Sequence, residues 1–213
     1  MGSVVTIVGF GDSITEAVVQ TPDPAKRWLN VLAGLLEAAF PGRTFNVVNS
    51  GKGGNSAREA MARFDRDVLA HDPDWLLLEF GGNNSGLRQP ERAVGLEEFG
   101  RHLDDLRRRL PAKTRVMVIT FPPVIDEQHA FGKDPAVVAQ GGLDAMVEPY
   151  RAATRRFARA HGYPLVDLDR AIREGMGPGD KNRHILKDGV HLNEAGNRLL
   201  AELVFEVLRG ELG

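Results

Sequence analysis

The sequence contains no cysteine among its 213 residues. This absence excludes a disulfide-stabilised scaffold, a zinc–thiolate centre, an iron–sulfur cluster and a cysteine nucleophile. Five histidines show no spacing typical of metal ligands, so neither a metal nor another cofactor is expected; they are His71, His102, His129, His161 and His184. Covalent catalysis by this chain would therefore need a different nucleophile.

The chain also lacks an excess of charge of either sign. Lys and Arg together number 27 and Asp and Glu 29, which gives a formal net charge of −2. Proteins that bind nucleic acids or membrane surfaces through charge usually carry a basic excess, so neither partner is expected. The arginine runs at 107–109 and 155–156 are predicted to lie on solvated helix faces.

Long hydrophobic runs are missing as well. No apolar stretch approaches the roughly 18 residues of a membrane-spanning helix, and the first ten residues carry no basic leader. These observations predict a cytoplasmic protein without a membrane partner.

The apolar residues that are present alternate between short continuous runs and longer amphipathic stretches. The length fits a single domain over residues 1–213, because domains usually span about 100–200 residues. Nearly continuous apolar strands are covered on both faces, which indicates a three-layer α/β/α sandwich around a mainly parallel five-stranded sheet. Strands are predicted at 4–10, 44–49, 75–80, 115–121 and 164–168, and helices at 25–40, 56–71, 96–110, 143–161, 169–174 and 194–208.

One long stretch, residues 122–142, interrupts this alternation with paired prolines and glycines. It follows the fourth predicted strand, at the edge where open α/β sheets bind ligands. A connection of this length usually has a function or contains a helix of its own. The sequence leaves open whether it is a lid, a wall of the substrate site or a subunit contact.

Four polar segments are rich in Gly, Asn, Ser or Asp. They cover residues 11–16, 49–56, 81–84 and 187–193. The first three follow predicted strands, and the carboxyl ends of parallel strands lie at one edge of the sheet. We therefore expect these segments to meet in a single crevice.

Together these segments hold the groups that acyl transfer requires. Ser13 could act as a nucleophile and His191 as its base, with Asp188 or a backbone carbonyl orienting the imidazole. The N–H groups of Ser13 and Gly54 and the side-chain amide of Asn83 could surround one oxyanion.

The four segments resemble the sequence blocks of the SGNH, or GDSL-type, hydrolases, in matching order from residue 9 to residue 197. The resemblance implies a flavodoxin-like fold. It also implies a Ser-His-Asp triad of Ser13, His191 and Asp188, and an oxyanion hole of Ser13, Gly54 and Asn83.

Two features of these blocks need separate mention. The third block reads Gly82-Asn83-Asn84, whereas the family usually has Asp at the last position. The second block contains two candidate oxyanion glycines; Gly54 is preferred and Gly51 stays open. The Gly-rich run around Lys52 does not match a Walker motif, although a generic anion-binding loop is not excluded.

Within the family, the chain looks most like intracellular acetylxylan and carbohydrate acetylesterases. This resemblance predicts a serine esterase for short acyl esters, acetyl first, with an acylated sugar as a candidate substrate and no cofactor. The alternatives are a lysophospholipase, thioesterase or broad lipase of the same family, or a non-catalytic module that binds carbohydrate or an anion. A homo-oligomer is left open.

Three further polar residues lie near the predicted crevice. One has a structural interpretation, and each of the other two has two alternative interpretations. Asp12 is expected to hold the nucleophile turn through local hydrogen bonds. Glu79 interrupts an apolar strand, either as a buried, hydrogen-bonded acid or as an acid that reaches the sheet edge. His129 is either solvated or in contact with substrate.

Overall fold

A computed structural model describes residues 4–86, 90–177 and 179–213. All strand pairs in its sheet are parallel, in the spatial order β2-β1-β3-β4-β5. This arrangement confirms the predicted five-stranded α/β/α sandwich. The strands are β1 (Val4–Gly11), β2 (Thr44–Gly51), β3 (Trp75–Glu79), β4 (Arg115–Ile119) and β5 (Leu165–Val166).

Helices cover both faces of the sheet because the strand side chains alternate between two apolar cores. In β3, Leu77 points to the core formed with α2, α7 and α8, while Leu76 and Leu78 point to the core formed with α3 and α4. Helix α6 contributes to both cores. The helices are α1 (Ser13–Glu16), α2 (Trp28–Ala39), α3 (Ala57–Asp67), α4 (Leu96–Arg109), α5 (Pro135–Val138), α6 (Leu143–His161), α7 (Leu168–Gly175) and α8 (Glu194–Leu212).

Several predicted boundaries differ from the observed ones. The helix predicted at 25–40 starts at Trp28, because Arg27 adopts an extended conformation after a 3-10 turn at Pro24–Lys26. The helix predicted at 56–71 ends at Asp67, where Val68 leaves the helical region, and a 3-10 turn follows. The fifth strand is limited to the two residues that pair with β4.

The irregular segment 122–142 contains a 3-10 turn at Asp126–Gln128 and the short helix α5. Its start is bound to the rest of the fold, because the N–H of Ile125 donates to the carbonyl oxygen of Gly189 at 2.8 Å. The N–H of Val124 donates to the carboxylate of Asp144 at 2.8 Å. The segment therefore lies beside the loop that carries His191.

The strand order places a crevice between the ends of β1 and β3. From β1 the chain continues to β2 on one side, and from β3 it continues to β4 on the other. Ligands of open α/β sheets bind at such a switch point. Ser13 follows β1 and Asn83 follows β3, so both lie at this crevice.

Candidate active site

Ser13 lies on a tight turn between β1 and α1. Asp12 caps this turn, because its carboxylate accepts a hydrogen bond from the N–H of Ile14 at 2.9 Å. Gly11 has no space for a side chain, since a Cβ would lie 2.7 Å from Oε2 of Glu79. This close approach presents the Ser13 hydroxyl at the carboxyl edge of the sheet.

His191 connects Ser13 to Asp188. Its Nε2 lies 3.0 Å from Oγ of Ser13, and its Nδ1 lies 2.7 Å from a carboxylate oxygen of Asp188. An ionised carboxylate only accepts hydrogen bonds, so Nδ1 carries the ring proton and donates a hydrogen bond to Asp188. Nε2 is then free to accept the serine proton. The structure thus joins the three predicted residues in one hydrogen-bonded chain.

The conformation of the 188–191 turn fixes this geometry. The other carboxylate oxygen of Asp188 accepts the N–H groups of Val190 and His191, each at 3.0 Å. Gly189 has a φ of +78°, which glycine adopts without strain. Partial burial raises the pKa of Asp188, but the bonds from His191 and these backbone groups outweigh it, so the pKa is lowered overall.

The predicted oxyanion donors differ in whether they already donate hydrogen bonds within the protein. Within the described residues, no hydrogen bond takes the N–H of Ser13 or of Gly54. The amide Nδ2 of Asn83 donates to Asp12 at 3.0 Å and to the carbonyl oxygen of Asn55 at 3.2 Å. An oxyanion can therefore bind two N–H groups directly, but it must replace one partner of Asn83.

The two candidate glycines of the second block have different surroundings. A Cβ on Gly51 would overlap the backbone of Thr15 and Glu16, so this glycine permits close packing. Gly54 lines the cleft, has a φ of +75° and has no atom within 4 Å of a Cβ position. Gly53 also lines the cleft, but its N–H donates to Glu16 at 2.9 Å.

Arg63 holds the first two blocks together, although no sequence pattern singled it out. Its guanidinium donates to the carbonyl oxygens of Gly11 at 2.8 Å and Ser50 at 2.7 Å, and to the side chain of Asn55 at 2.7 Å. Arg63 belongs to the buried face of α3, next to Phe64. The signal available in the sequence was a cationic residue on the otherwise apolar face of α3.

Two carboxyl groups lie directly beneath the Ser13 turn. Asp12 and Glu79 are both completely buried, so Glu79 is the buried, hydrogen-bonded acid of the two interpretations. Burial raises the pKa of Asp12 to about 6, although several hydrogen bonds oppose the shift. Burial and the neighbouring charge of Asp12 raise the pKa of Glu79 well above its usual range.

Ser13, His191, Gly54 and Asn83 line a cleft of about 260 Å³. Among the described residues that line it there is neither Lys nor Arg. His129 belongs to its wall, is largely buried, and accepts the N–H of Phe131 at its Nδ1. The lining residues are Ser13, Glu16, Val19, Gln20, Gly53, Gly54, Gly82, Asn83, Phe121, His129, Val190 and His191.

Two further features were sought in residues 4–86, 90–177 and 179–213, a cluster of metal ligands and a membrane-spanning helix. These ranges contain no group of three or more His, Asp or Glu side chains that could hold a metal ion. Among the helices they describe, none is long and apolar enough to cross a membrane.

Sequence comparison identifies the family to which this arrangement belongs. Residues 10–199 match the GDSL-like lipase/acylhydrolase family. The chain belongs to this family. It is therefore a carboxylic ester hydrolase, and the family resemblance predicted from the four blocks is confirmed. A nucleophile–histidine–acid triad and an oxyanion hole are typical of GDSL-like acylhydrolases.

Two relatives and one solved structure cover nearly the whole chain. An acetylxylan esterase of Geobacillus stearothermophilus is 25% identical, over 98% of both chains. An uncharacterized lipoprotein of Bacillus subtilis (strain 168) is 25% identical, over 94% of this chain and 86% of the relative. The crystal structure of an acetyl xylan esterase, AlAXEase, superposes with a TM-score of 0.77 at 24% identity, over 96% of this chain and 100% of the other, and supports the fold.

Proposed function

We propose that this esterase hydrolyses short, neutral acyl esters through a covalent intermediate on Ser13. His191 removes the proton of the Ser13 hydroxyl while Oγ attacks the ester carbonyl carbon. The tetrahedral intermediate collapses, His191 protonates the departing alcohol, and an acyl-serine remains. A water molecule, deprotonated by His191, then releases the acid and restores Ser13.

The observation that carries this proposal is the continuous chain from Asp188 through His191 to Ser13, with links of 2.7 and 3.0 Å. A serine nucleophile needs a base within hydrogen-bonding distance and a group that orients the base. Asp188 fits the orienting role, because its carboxylate stays ionised and is itself fixed by backbone N–H groups. It would stabilise the imidazolium that forms during attack.

The proposed oxyanion hole consists of the N–H groups of Ser13 and Gly54 and the amide of Asn83. Gly54 is favoured over Gly51 because it lines the cleft beside Ser13. Donors that are in position before the reaction stabilise the developing charge most strongly. Asn83 would join them as its bond to the carbonyl oxygen of Asn55, the longer of its two, is exchanged for the oxyanion.

The shape and charge of the cleft support a small, uncharged substrate. A Cβ on Gly82 would overlap the ring of Phe121, so this ring limits the space available next to Asn83. Glu16 also lines the cleft, and no cation among the described lining residues balances its charge. An acyl-CoA or a lysophospholipid brings phosphate groups, which usually require Arg or Lys. An acetylated sugar needs neither a long acyl slot nor a cation.

The test is hydrolysis of p-nitrophenyl esters from acetate to octanoate, with acetylated xylo-oligosaccharide and acetyl-CoA as natural comparisons. We expect the rate to fall steeply with acyl length, and the sugar ester to be preferred over the thioester. Ser13→Ala should abolish all of these activities. A preference for octanoate or for acetyl-CoA would contradict the substrate assignment, while retained activity of Ser13→Ala would contradict the mechanism.

A further inference from the structure

The proposed mechanism makes no use of the two buried carboxyl groups beneath Ser13. Asp12 and Glu79 come from the ends of adjacent strands, and the N–H of Asp12 donates to Oε2 of Glu79 at 3.3 Å. The hydroxyl of Thr15 donates to the same oxygen at 3.0 Å. The two side chains also interact directly, and this interaction lowers the pKa of Asp12 and raises that of Glu79.

The hydrogen bonds of the pair are unequal. Both oxygens of Asp12 accept N–H groups, one from Ile14 and one from Asn83. At Glu79, by contrast, Oε1 is buried and, within the described residues, no donor reaches it. A buried carboxylate oxygen without a donor is strongly destabilising. A proton on Oε1, donated to Asp12, removes this deficit.

The charged groups around the pair do not compensate two negative charges. From α3, Arg63 faces the turn and its charge acts on Asp12 without a direct bond, since its hydrogen bonds go to Gly11, Ser50, Asn55 and Asp67. His191 faces Asp12 from the loop before α8. α1 contributes the neutral Thr15, and the turn after β3 contributes the neutral Asn83. Two adjacent carboxyl groups in such surroundings share one proton.

We propose that Glu79 remains protonated and acts as a positioning residue, donating one hydrogen bond to Asp12 so that the Asp12 carboxylate holds the Asn83 amide beside Ser13. The inference rests on the proposed function for the role of Asn83, but the protonation of Glu79 does not depend on it. Glu79 touches neither substrate nor Ser13 Oγ in this account. It acts through Asp12 on one donor of the oxyanion hole.

The protonation is tested without any activity, by infrared spectroscopy of the full chain at pH 7. We expect the C=O stretch of a protonated carboxylic acid, shifted when glutamate is labelled with carbon-13. The band should persist in the exposed control Glu37→Gln and disappear in Glu79→Gln. Absence of the band, or a shift with labelled aspartate instead, would overturn the proposal.

The positioning role is tested by the kinetics of two Glu79 variants. Gln can donate to Asp12 and accept from Thr15, so Glu79→Gln should keep kcat within about threefold of wild type. Glu79→Leu should lower kcat about tenfold or more with KM little changed, because a loosened oxyanion donor affects the transition state. Equal rates of Leu and wild type would contradict the role. A wild-type protein that hydrolyses no ester would contradict the proposed function, and the infrared result would still decide the protonation of Glu79.

Discussion

Two groups of charged side chains, each with a buried centre, lie near the carboxyl edge of the same sheet, and they are built in opposite ways. The first is the pair Asp12 and Glu79 beneath Ser13. The second, which we call the Arg151 cluster, joins three arginines to four acids beside β4 and β5. Its members are Arg151, Arg155, Arg173, Asp144, Glu148, Asp167 and Asp169.

The partners of the acids determine the difference. In the Arg151 cluster, burial raises the pKa of Asp144, but Arg151, the N–H of Val124 and Arg173 outweigh it, and the pKa is lowered. Arg155 has the same effect on Asp167 against burial. Beneath Ser13 no cation contacts either acid among the described residues, and both pKa values are raised.

The comparison teaches how one sheet edge serves two purposes. Arg151 is completely buried and donates to the carbonyl oxygens of Phe121 at 3.1 Å and Pro122 at 2.7 Å. Its cluster thereby fixes the start of the 122–142 segment as a wall of the cleft. The acids beneath Ser13, by contrast, keep the surroundings of His191 neutral or acidic, and this histidine must accept a proton. Changes on the two sides should therefore separate activity from stability.

The largest effect is expected on the catalytic side, from Asp188→Asn. This change keeps an acceptor for the backbone N–H groups but removes the charge that faces His191, and kcat should fall about 10⁴-fold. The free energy of unfolding should change little. Kinetics with p-nitrophenyl acetate and urea denaturation measure the two quantities, with the partly exposed Asp105→Asn as control. A near wild-type rate would mean that Asp188 does not orient the histidine.

The opposite pattern is expected from Arg151→Met. Removing the cation takes one of two arginine partners from Asp144 and the arginine donor from the carbonyl oxygens of Phe121 and Pro122. The free energy of unfolding should therefore fall by about 3–5 kcal/mol. Because the folded protein retains Ser13 and His191, kcat should change far less than in Asp188→Asn. The exposed Arg156→Met on the same helix should cost under about 0.5 kcal/mol. Equal stabilities of the two variants in urea would show that the cluster does not hold the fold.

A smaller loss of activity is expected from Asn83→Ala. Removing one oxyanion donor should lower kcat by about 10²–10³, or roughly 2.7–4 kcal/mol, while KM stays nearly constant. The exposed Gln140→Ala provides an amide control. If kcat of Asn83→Ala equals that of wild type, Asn83 serves only to bind Asp12 and Asn55.

The smallest effect is a difference in pH dependence between the two sides. The raised pKa of Glu79 means that the folded state binds this proton more tightly than the unfolded state. Stability therefore falls as pH rises above the unfolded pKa, by at most about 1.4 kcal/mol per pH unit. Between pH 5 and pH 7, Glu79→Gln should gain stability relative to wild type.

Asp144 should show the reverse sign. Its lowered pKa stabilises the fold above the unfolded value, and this contribution is lost as pH falls below about 4. The stability gap between wild type and Asp144→Asn should therefore narrow in acid. Urea titrations across pH 3–7 measure both trends. Curves of unfolding free energy against pH that run parallel for the variants and wild type would contradict the proposed difference between the two sides.

Much of this arrangement follows from local sequence signals. Short apolar runs predict the strands because a buried parallel strand must be apolar on both faces. Ser13 and Asn83 were predicted to meet because polar residues at the ends of such strands share one edge of the sheet. The capping box that Ser56 and Glu59 form at the start of α3 is also a local signal, because the two residues are three positions apart.

The remainder depends on contacts between residues far apart in the chain. From its sequence neighbours alone, Arg63 is expected to be an ordinary helix arginine. It becomes a buried connector only because α3 packs against the ends of β1 and β2. Glu79 becomes a proton-sharing acid only when β3 lies beside β1. Helix α1 has four residues, too few for a helical period to show in the sequence.

The central claim, that Ser13 is an activated nucleophile, is tested most directly by labelling with a fluorophosphonate followed by peptide mass spectrometry. The account predicts one label per chain, on Ser13, with full loss of esterase activity and strongly slowed labelling in His191→Ala. Labelling of another residue, or esterase activity that survives complete modification of Ser13, would contradict it.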